Sequence, residues 1–204
     1  MIFIVYKAFR KYIRILVSYL YNPIALILFY LNGVHISKGL KVAGFIKVDV
    51  TRRGIFKIGK NLHLNSGFNH NVIGRQQKCI FWVEGTLIIG DNVGMSSTAI
   101  ICNDKILIGN NVMIGGNTVI YDTDFHSIDP EIRLNKNLDK KYALKKPVII
   151  EDNVFIGAHS TILKGVTIGK NSLIGACSVV SKSIPPNEIW AGNPAIFIKR
   201  IDGQ

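Results

Sequence analysis

Aliphatic residues recur at every sixth position through the C-terminal part of the chain. From Ile150 the sequence divides into IEDNVF, IGAHST, ILKGVT, IGKNSL, IGACSV and VSKSIP, and every unit begins with isoleucine or valine. A period of six fits neither the 3.6-residue repeat of a helix nor the two-residue alternation of a strand. It is typical of a parallel β-helix, in which each unit supplies one short strand and one corner.

Glycine and asparagine recur where these corners are expected. Glycine follows the aliphatic residue at positions 157, 169 and 175, and asparagine stands three positions after it at 153 and 171. Both residue types tolerate the left-handed backbone that a sharp corner requires. Stacked triangular coils bury the aliphatic column, while each strand pairs with the coils above and below it. The pattern therefore predicts an all-β fold.

The six-residue pattern extends toward the N-terminus with interruptions. It begins raggedly at Ile36, breaks over Asn69–Trp82, resumes at Ile89 and stops after Ile120. A polar and charged loop over 125–146 follows, and a loop of this length inside a regular stack is usually functional. The predicted divisions are a helical segment over 1–32, a β-helix over 33–185 and a closing segment over 186–204.

The N-terminal segment has a different pattern from the repeats. On a helix, one face would carry Lys7, Arg10, Lys11 and Arg14, and the other would carry Ile2, Val5, Phe9, Ile13 and Leu16. The run from Ile15 to Leu31 has no charged residue. Asn22 and Pro23 interrupt this run, and we expect the helix to kink or end there.

A basic amphipathic helix of this kind is typical of attachment to an anionic membrane surface through residues 1–31. Two alternatives stay open, namely a helical hairpin packed on the β-helix or on a trimer partner, and a membrane span that is short and interrupted. All three are compatible with a cytoplasmic protein at the inner face of the cytoplasmic membrane. A secretory signal is not expected, because no small-residue cleavage site is evident.

Composition narrows the class of protein. The chain has 204 residues, 48% of them hydrophobic and 19% charged, and a formal net charge of +12. This charge predicts anionic partners such as a CoA, a membrane surface or an acidic glycan. Nucleic acid is not expected, because no recognition motif is present. The cysteines at 79, 102 and 177 match no metal or redox spacing.

The segment IGGNTVIYDTDFHSID, residues 114–129, precedes and opens the long loop. It resembles the segment in maltose and galactoside acetyltransferases, and in surface-polysaccharide O-acetyltransferases, where a histidine begins the loop that leaves the β-helix. The chain thus resembles the hexapeptide-repeat acyltransferases, whose β-helix is left-handed. The resemblance implies that His126 is the general base that activates a sugar hydroxyl. Asp124, Asp129 or a backbone carbonyl would orient the imidazole.

The same resemblance implies a site for the co-substrate acetyl-CoA, in a groove between subunits of a homotrimer, with no metal required. The matching positions are Phe155, Ala158, Ala176, Ser181, Lys182, Lys199 and Arg200. Many relatives carry tryptophan at the position of Phe155. The basic residues among these would contact the CoA phosphates.

The sequence supports several functions to different degrees. We expect O-acetylation of a capsular, exopolysaccharide or lipopolysaccharide glycan or its lipid-linked precursor, and the resemblance implies acceptor contacts at Asp104 and Ser97. An acetyltransferase for a free sugar, an amino sugar or a xenobiotic is the alternative. A non-enzymatic β-helix and a γ-type carbonic anhydrase are less favoured, since the anhydrase requires three converging zinc histidines that the sequence does not show.

Overall fold

The computed structural model describes residues 2–67, 69–71, 73 and 77–201, with the side chain of Arg14 outside the described set. The main body is a left-handed parallel β-helix of triangular coils, which confirms the predicted fold class. Coil 1 comprises β1 (His35–Ile36), β2 (Lys41–Ala43) and β3 (Lys47–Val50), and coil 2 comprises β4 (Ile55–Ile58), β5 (His63–Asn65) and β6 (Ile80–Val83). Coil 3 comprises β7 (Thr86–Ile89), β8 (Gly94–Ser96) and β9 (Ala99–Cys102).

The regular repeats continue above a loop that follows coil 4. Coil 4 comprises β10 (Lys105–Ile108), β11 (Met113–Ile114) and β12 (Val119–Tyr121). Coil 5 comprises β13 (Val148–Ile150), β14 (Phe155–Ile156) and β15 (Thr161–Ile162), and coil 6 comprises β16 (Thr167–Ile168), β17 (Leu173–Ile174) and β18 (Val179–Val180). The first, second and third strands of each coil belong to sheets A, B and C, respectively.

The stacked strands keep the aliphatic column in register. Ile108 pairs with Ile89 on the coil below and with Ile150 on the coil above, and all three side chains are buried. Sheet C repeats this arrangement, since Ile120 pairs with Ile100 and Ile162. The hydrophobic core is thus a continuous column inside the prism, as the six-residue period predicts.

The three edges of the prism are named by the sheets they join. At the AB edge, asparagines with positive φ values between 56° and 62° stack on successive coils, and they are Asn61, Asn92, Asn111, Asn153, Asn171 and Asn187. Each side-chain amide donates to the next asparagine at 2.8–3.1 Å. This asparagine ladder confirms that the asparagines of the repeat occupy left-handed corners.

The first helix covers the N-terminal end of the prism. Helix α1 spans Ile2–Leu31 without a break, so the expectation that the helix ends at Asn22 and Pro23 is wrong, while the expected kink there stays a prediction. Contacts on both sides of Pro23 hold the helix together: Tyr21, Ala25 and Phe29 are buried, and the Phe29 ring lies 5.9 Å from Phe56 in the core. Asn22 itself accepts a hydrogen bond from the backbone of Val42 at 2.6 Å.

The polar loop between coils 4 and 5 contains two short helices, α2 (Pro130–Arg133) and α3 (Lys136–Tyr142). Asp129 caps α2 and Asn135 caps α3, each by accepting backbone N–H groups of the first helical turn. At the opposite end of the chain, β19 (Glu188–Gly192) extends sheet B beside β17, and β20 (Ala195–Arg200) pairs antiparallel with β19. The loop is therefore a folded structure attached to a rigid prism.

Candidate active site

His126 lies where the long loop leaves the CA edge of the prism. Its imidazole Nδ1 lies 2.6 Å from Oδ2 of Asp139, and the other carboxylate oxygen accepts the backbone N–H of Ser127 at 2.7 Å. The imidazole is 69% exposed, while the Asp139 side chain is only 12% exposed. The Nδ1 edge of the imidazole is thus fixed by a largely buried carboxylate, and the rest of the ring is exposed.

Local sequence explains why Asp139 reaches His126. Asn135 starts helix α3 by capping it, which places Asp139 one turn into the helix. Arg133 donates from Nη1 to the carbonyl oxygens of Ser127 and Ile128, both at 2.8 Å, and this holds the segment after the histidine. Phe125 has a φ of 63°, so the chain turns sharply just before the histidine. The capped helix and the turn together set the geometry of the pair.

The hydrogen bonds determine the state of both groups. The pKa of Asp139 lies below its ordinary value, because the carboxylate accepts hydrogen bonds from His126 and from the backbone of Ser127. An ionised carboxylate accepts only, so in the neutral imidazole the hydrogen is assigned to Nδ1. The lone pair of Nε2 is then available as a base.

Asp124 and Asp129 have other partners. Asp124 forms an ion pair with Lys164 at 2.7 Å, and Asp129 caps helix α2. The residue that contacts His126 Nδ1 is Asp139, which sequence reasoning missed because thirteen positions separate the two. The signal that could have found it is the pair of helix starts in the loop, with Pro130 directly after the cap Asp129.

The CA edge below His126 carries further polar groups. Asp122 is fully buried and accepts the backbone N–H groups of Asn103 and Asp104 at 2.7 and 2.8 Å. Burial is the main reason that the pKa of Asp122 lies above its ordinary value. The side chain of Asp104 is exposed at the same edge, one coil below the loop. The structure therefore places Asp104 and His126 on the same edge.

Ser97 lies elsewhere. It occupies a left-handed corner of the BC edge with a φ of 44°, and its side chain is fully buried. Its hydroxyl accepts the backbone N–H of Gly67, and its carbonyl accepts the side-chain amide of Gln77, both from the segment between β5 and β6. Ser97 and Asp104 are consequently on different edges of the prism.

Ala158 and Ala176 stack on the BC edge in successive coils. The carbonyl of Ala158 accepts the backbone N–H of Cys177 at 2.8 Å. Phe155 is 42% exposed on the outer face of sheet B and lines a groove of about 260 Å³ together with His63, Met113 and Ile73. Small residues at the corner and an aromatic side chain beside it leave room for an extended ligand along this surface.

The other predicted cofactor residues lie higher on the molecule. Ser181 and Lys182 are exposed at the CA edge after β18. Lys199 and Arg200 are exposed on β20, where Arg200 Nε lies 3.9 Å from Oε1 of Glu188. These cations add positive charge near the last coil, which suits a phosphate-bearing ligand.

One protomer does not bring all of these groups together. His126 belongs to the CA edge, whereas Ala158 and Ala176 belong to the BC edge, and sheet C separates the two. Within the described residues, no group of three or more histidine, cysteine, aspartate or glutamate side chains is placed to hold a metal ion. The base and the BC-edge groups can meet only if the BC edge of a second protomer approaches the CA edge.

Comparison with known proteins identifies relatives along most of the chain. A model of bacterial transferase hexapeptide repeats matches residues 147–182. The galactoside O-acetyltransferase of Lactococcus lactis is 32% identical over 156 residues, 76% of this chain and 68% of that protein. The galactoside O-acetyltransferase of Escherichia coli K12 is 41% identical over 117 residues, 57% of this chain and 55% of that protein. The chain spans about half to two thirds of the length of such curated relatives.

A solved structure agrees with this result. The hexapeptide-repeat acetyltransferase of Vibrio cholerae, crystallised with acetyl-CoA, superposes with a TM-score of 0.54 at 25% identity, covering 88% of this chain and 76% of that protein. The repeat match covers residues 147–182, whereas the Lactococcus relative and the common fold cover 76% and 88% of the chain, respectively. This chain therefore belongs to the hexapeptide-repeat acetyltransferase family.

Proposed function

We propose that the protein transfers an acetyl group from acetyl-CoA to a sugar hydroxyl, with His126 as the general base. The observation that carries the proposal is the exposed imidazole whose Nδ1 is fixed by Asp139 at 2.6 Å. A sugar hydroxyl is a weak nucleophile, and removal of its proton during attack accelerates acyl transfer by roughly 10²- to 10⁴-fold. Membership of a family with galactoside O-acetyltransferases supports this reaction.

The step requires no protein nucleophile. Nε2 of His126 takes the hydroxyl proton while the sugar oxygen bonds to the thioester carbonyl carbon, which gives a tetrahedral oxyanion. Collapse of this intermediate breaks the carbon–sulfur bond, and the imidazolium returns its proton to the departing CoA thiolate. Asp139 stabilises the imidazolium and fixes the ring orientation, since it accepts from Nδ1 throughout.

The donor site in this proposal lies between protomers of a homotrimer. Acetyl-CoA would extend along the BC edge of one protomer past Phe155, Ala158 and Ala176, with its phosphates near Lys199 and Arg200 and near Ser181 and Lys182 on the facing CA edge. A threefold assembly joins two different surfaces of identical protomers, so it can set the CA edge of one prism against the BC edge of its neighbour. The separation of His126 from the BC edge within one chain supports this arrangement. The acetyl-CoA bound to the Vibrio relative supports acetyl-CoA as the donor.

The acceptor in this proposal is a surface glycan or its lipid-linked precursor at the cytoplasmic face of the membrane. Asp104 would contact the acceptor, because it shares the CA edge with His126. Ser97 is buried within its protomer, so it would affect acceptor binding only indirectly, by shaping its corner of the BC edge. The long apolar helix α1 supports an acceptor at a membrane rather than a free sugar.

A thiol-release assay with acetyl-CoA and a panel of glycans and free sugars tests the proposal. We expect His126→Ala to lower turnover by roughly 10²- to 10⁴-fold, with CoA affinity retained in calorimetry. His35→Ala is the matched control, because His35 is exposed on coil 1, far along the chain from the loop. Full turnover in His126→Ala rejects the base. Turnover with free sugars and none with glycans rejects the acceptor and leaves the reaction standing.

A further inference from the structure

Helix α1 exposes an apolar face along its whole length. Successive residues of a helix project about 100° apart, so one side of α1 collects Val5, Phe9, Tyr12, Leu16, Tyr19, Ile27 and Tyr30. These side chains are between 57% and 82% exposed. A helix of 30 residues is about 45 Å long. An apolar surface of this size on a soluble protein normally has a binding partner.

The opposite side of the helix has a different character at each end. Toward the C-terminus it packs on the base of the prism through Tyr21, Ala25 and Phe29. Toward the N-terminus the same side carries Lys7 and the neighbouring cations Arg10 and Lys11. The apolar face therefore points away from the prism, and the cations lie on the side of the prism.

Two polar anchors tie the helix to coil 1. Asn22 accepts the backbone N–H of Val42 at 2.6 Å, and Asn32 accepts that of Val50 at 3.0 Å. A membrane span needs about 20 apolar residues. The part of α1 before the first core contact at Val17 is shorter than this and contains the cations. Although α1 is long and apolar enough by composition to cross a membrane, its docking on the prism conflicts with a span.

We propose that α1 lies flat in the interface of an anionic membrane, with its apolar face toward the acyl chains, and holds the prism upright above the surface. Charge complementarity selects this partner: Lys7, Arg10 and Lys11 form the polar side of the same helix, as in other interfacial amphipathic helices, and the chain carries a net charge of +12. In a threefold assembly whose axis follows the prisms, the three helices lie at the same end and contact one surface together.

This orientation sets the height of the active site. Neighbouring strands lie about 4.8 Å apart, so coil 4, from which the loop leaves, stands roughly 14 Å above coil 1. A glycan attached to a lipid would reach His126 from below, whereas a free sugar gains nothing from the geometry. This consequence rests on the proposed function, but membrane binding by α1 does not.

Flotation of the full-length protein with vesicles tests the surface. We expect it to bind vesicles of phosphatidylglycerol and phosphatidylcholine, and to bind pure phosphatidylcholine vesicles more weakly. Phe9→Asp/Leu16→Asp should lower the partition coefficient by at least about tenfold, because two apolar side chains that enter the membrane interface on binding are lost. Ile128→Asp/Leu134→Asp is the matched control, since both residues are highly exposed in the loop, away from α1.

The remaining outcomes overturn the proposal in recognisable ways. Equal flotation of the wild type and Phe9→Asp/Leu16→Asp removes the apolar face as the membrane surface. If the wild type does not float, and Phe9→Asp/Leu16→Asp has a lower molecular mass than the wild type in light scattering, the apolar face binds a second copy of the chain. Resistance of the bound wild type to alkaline carbonate extraction indicates a span. Acetylation of free sugars, measured in the same samples, reports separately on the proposed function.

Discussion

The AB and CA edges of the prism are built from the same repeat, yet they differ in every property that matters for function. At the AB edge, each corner has the same length and conformation, and the asparagine ladder runs from Asn61 to Asn187. At the CA edge, the connections differ in length: two residues at 84–85 and 103–104, four at 51–54 and 163–166, and the folded loop over 122–147. The regular edge stabilises the stack, and the irregular edge carries the candidate chemistry.

The ladder explains why the regular edge is unsuited to catalysis. Each internal asparagine accepts from the coil below and donates to the coil above, so Asn111 bonds to both Asn92 and Asn153. A catalytic side chain at this position would remove one ladder hydrogen bond from each of the two neighbouring asparagines. At the CA edge, the backbone is held by Asp122 instead, and the chain is free to leave the prism after it.

The largest effect in this comparison is expected at Asp139. Asp139→Asn should lower kcat by roughly ten- to a hundredfold, because a charge-assisted hydrogen bond to a developing imidazolium contributes about 1.5–3 kcal/mol. The Michaelis constant for acetyl-CoA should stay unchanged, since Asp139 contacts His126 and not the donor surface. Steady-state kinetics with a glycan acceptor measure both constants.

Asp129→Asn is the control for this change. Asp129 lies in the same loop and caps α2 without contacting the imidazole, so a general weakening of the loop would affect both variants. Asp139→Glu should recover part of the lost kcat, because it restores the carboxylate at nearly the same place. A larger loss in Asp124→Asn than in Asp139→Asn would contradict the assignment of the positioning residue.

The ladder provides the second prediction, which concerns stability instead of rate. Asn111→Ala should lower the free energy of unfolding by about 1–2 kcal/mol, because two hydrogen bonds are lost and alanine is strained at a φ of 56°. Urea unfolding at fixed protein concentration measures the change. Turnover should match the wild type, since the AB edge is remote from His126.

Two further variants separate the causes at the ladder. Asn111→Gly removes the strain but not the loss of hydrogen bonds, so its destabilisation should be smaller than that of Asn111→Ala. Asn61 stands at the first position of the ladder, where its amide donates to Asn92 and the described residues of the coil below provide no further asparagine. Asn61→Ala therefore loses one ladder hydrogen bond, whereas Asn111→Ala loses two. Equal stability of all these variants and the wild type would show that the ladder contributes nothing.

The sequence predicted the repetitive features of the molecule well and the non-repetitive ones poorly. The spacing of Ile150 and its equivalents reports directly on the core, because each coil makes the same contacts. The position of Asp139 is set by two helix caps and a turn, inside a loop that has no sequence period. Its contact with His126 is a tertiary contact, which the local sequence does not specify. Helix α1 passes Pro23 because packing of Tyr21, Ala25 and Phe29 outweighs the local signal.

The smallest expected effect is at Glu84, which also lies on the CA edge. Its carboxylate accepts a hydrogen bond from Lys140 of helix α3 at 2.9 Å and so attaches the loop to the prism. The hydrogen bond with Lys140 is the main reason that the pKa of Glu84 lies below its ordinary value. Glu84→Gln should lower the free energy of unfolding by less than about 1 kcal/mol at neutral pH, because Lys140 is largely exposed and solvent screens the pair.

The pH dependence of the difference between wild type and Glu84→Gln identifies its origin. Because the pKa of Glu84 is lower in the folded state than in the unfolded state, its stabilisation is present above the unfolded value near 4.5. It is lost as the pH falls through the folded value. Urea unfolding of both proteins from neutral to acidic pH should therefore show a gap that closes on acidification. A gap that persists at low pH would mean that Glu84 holds the loop by packing rather than by its charge.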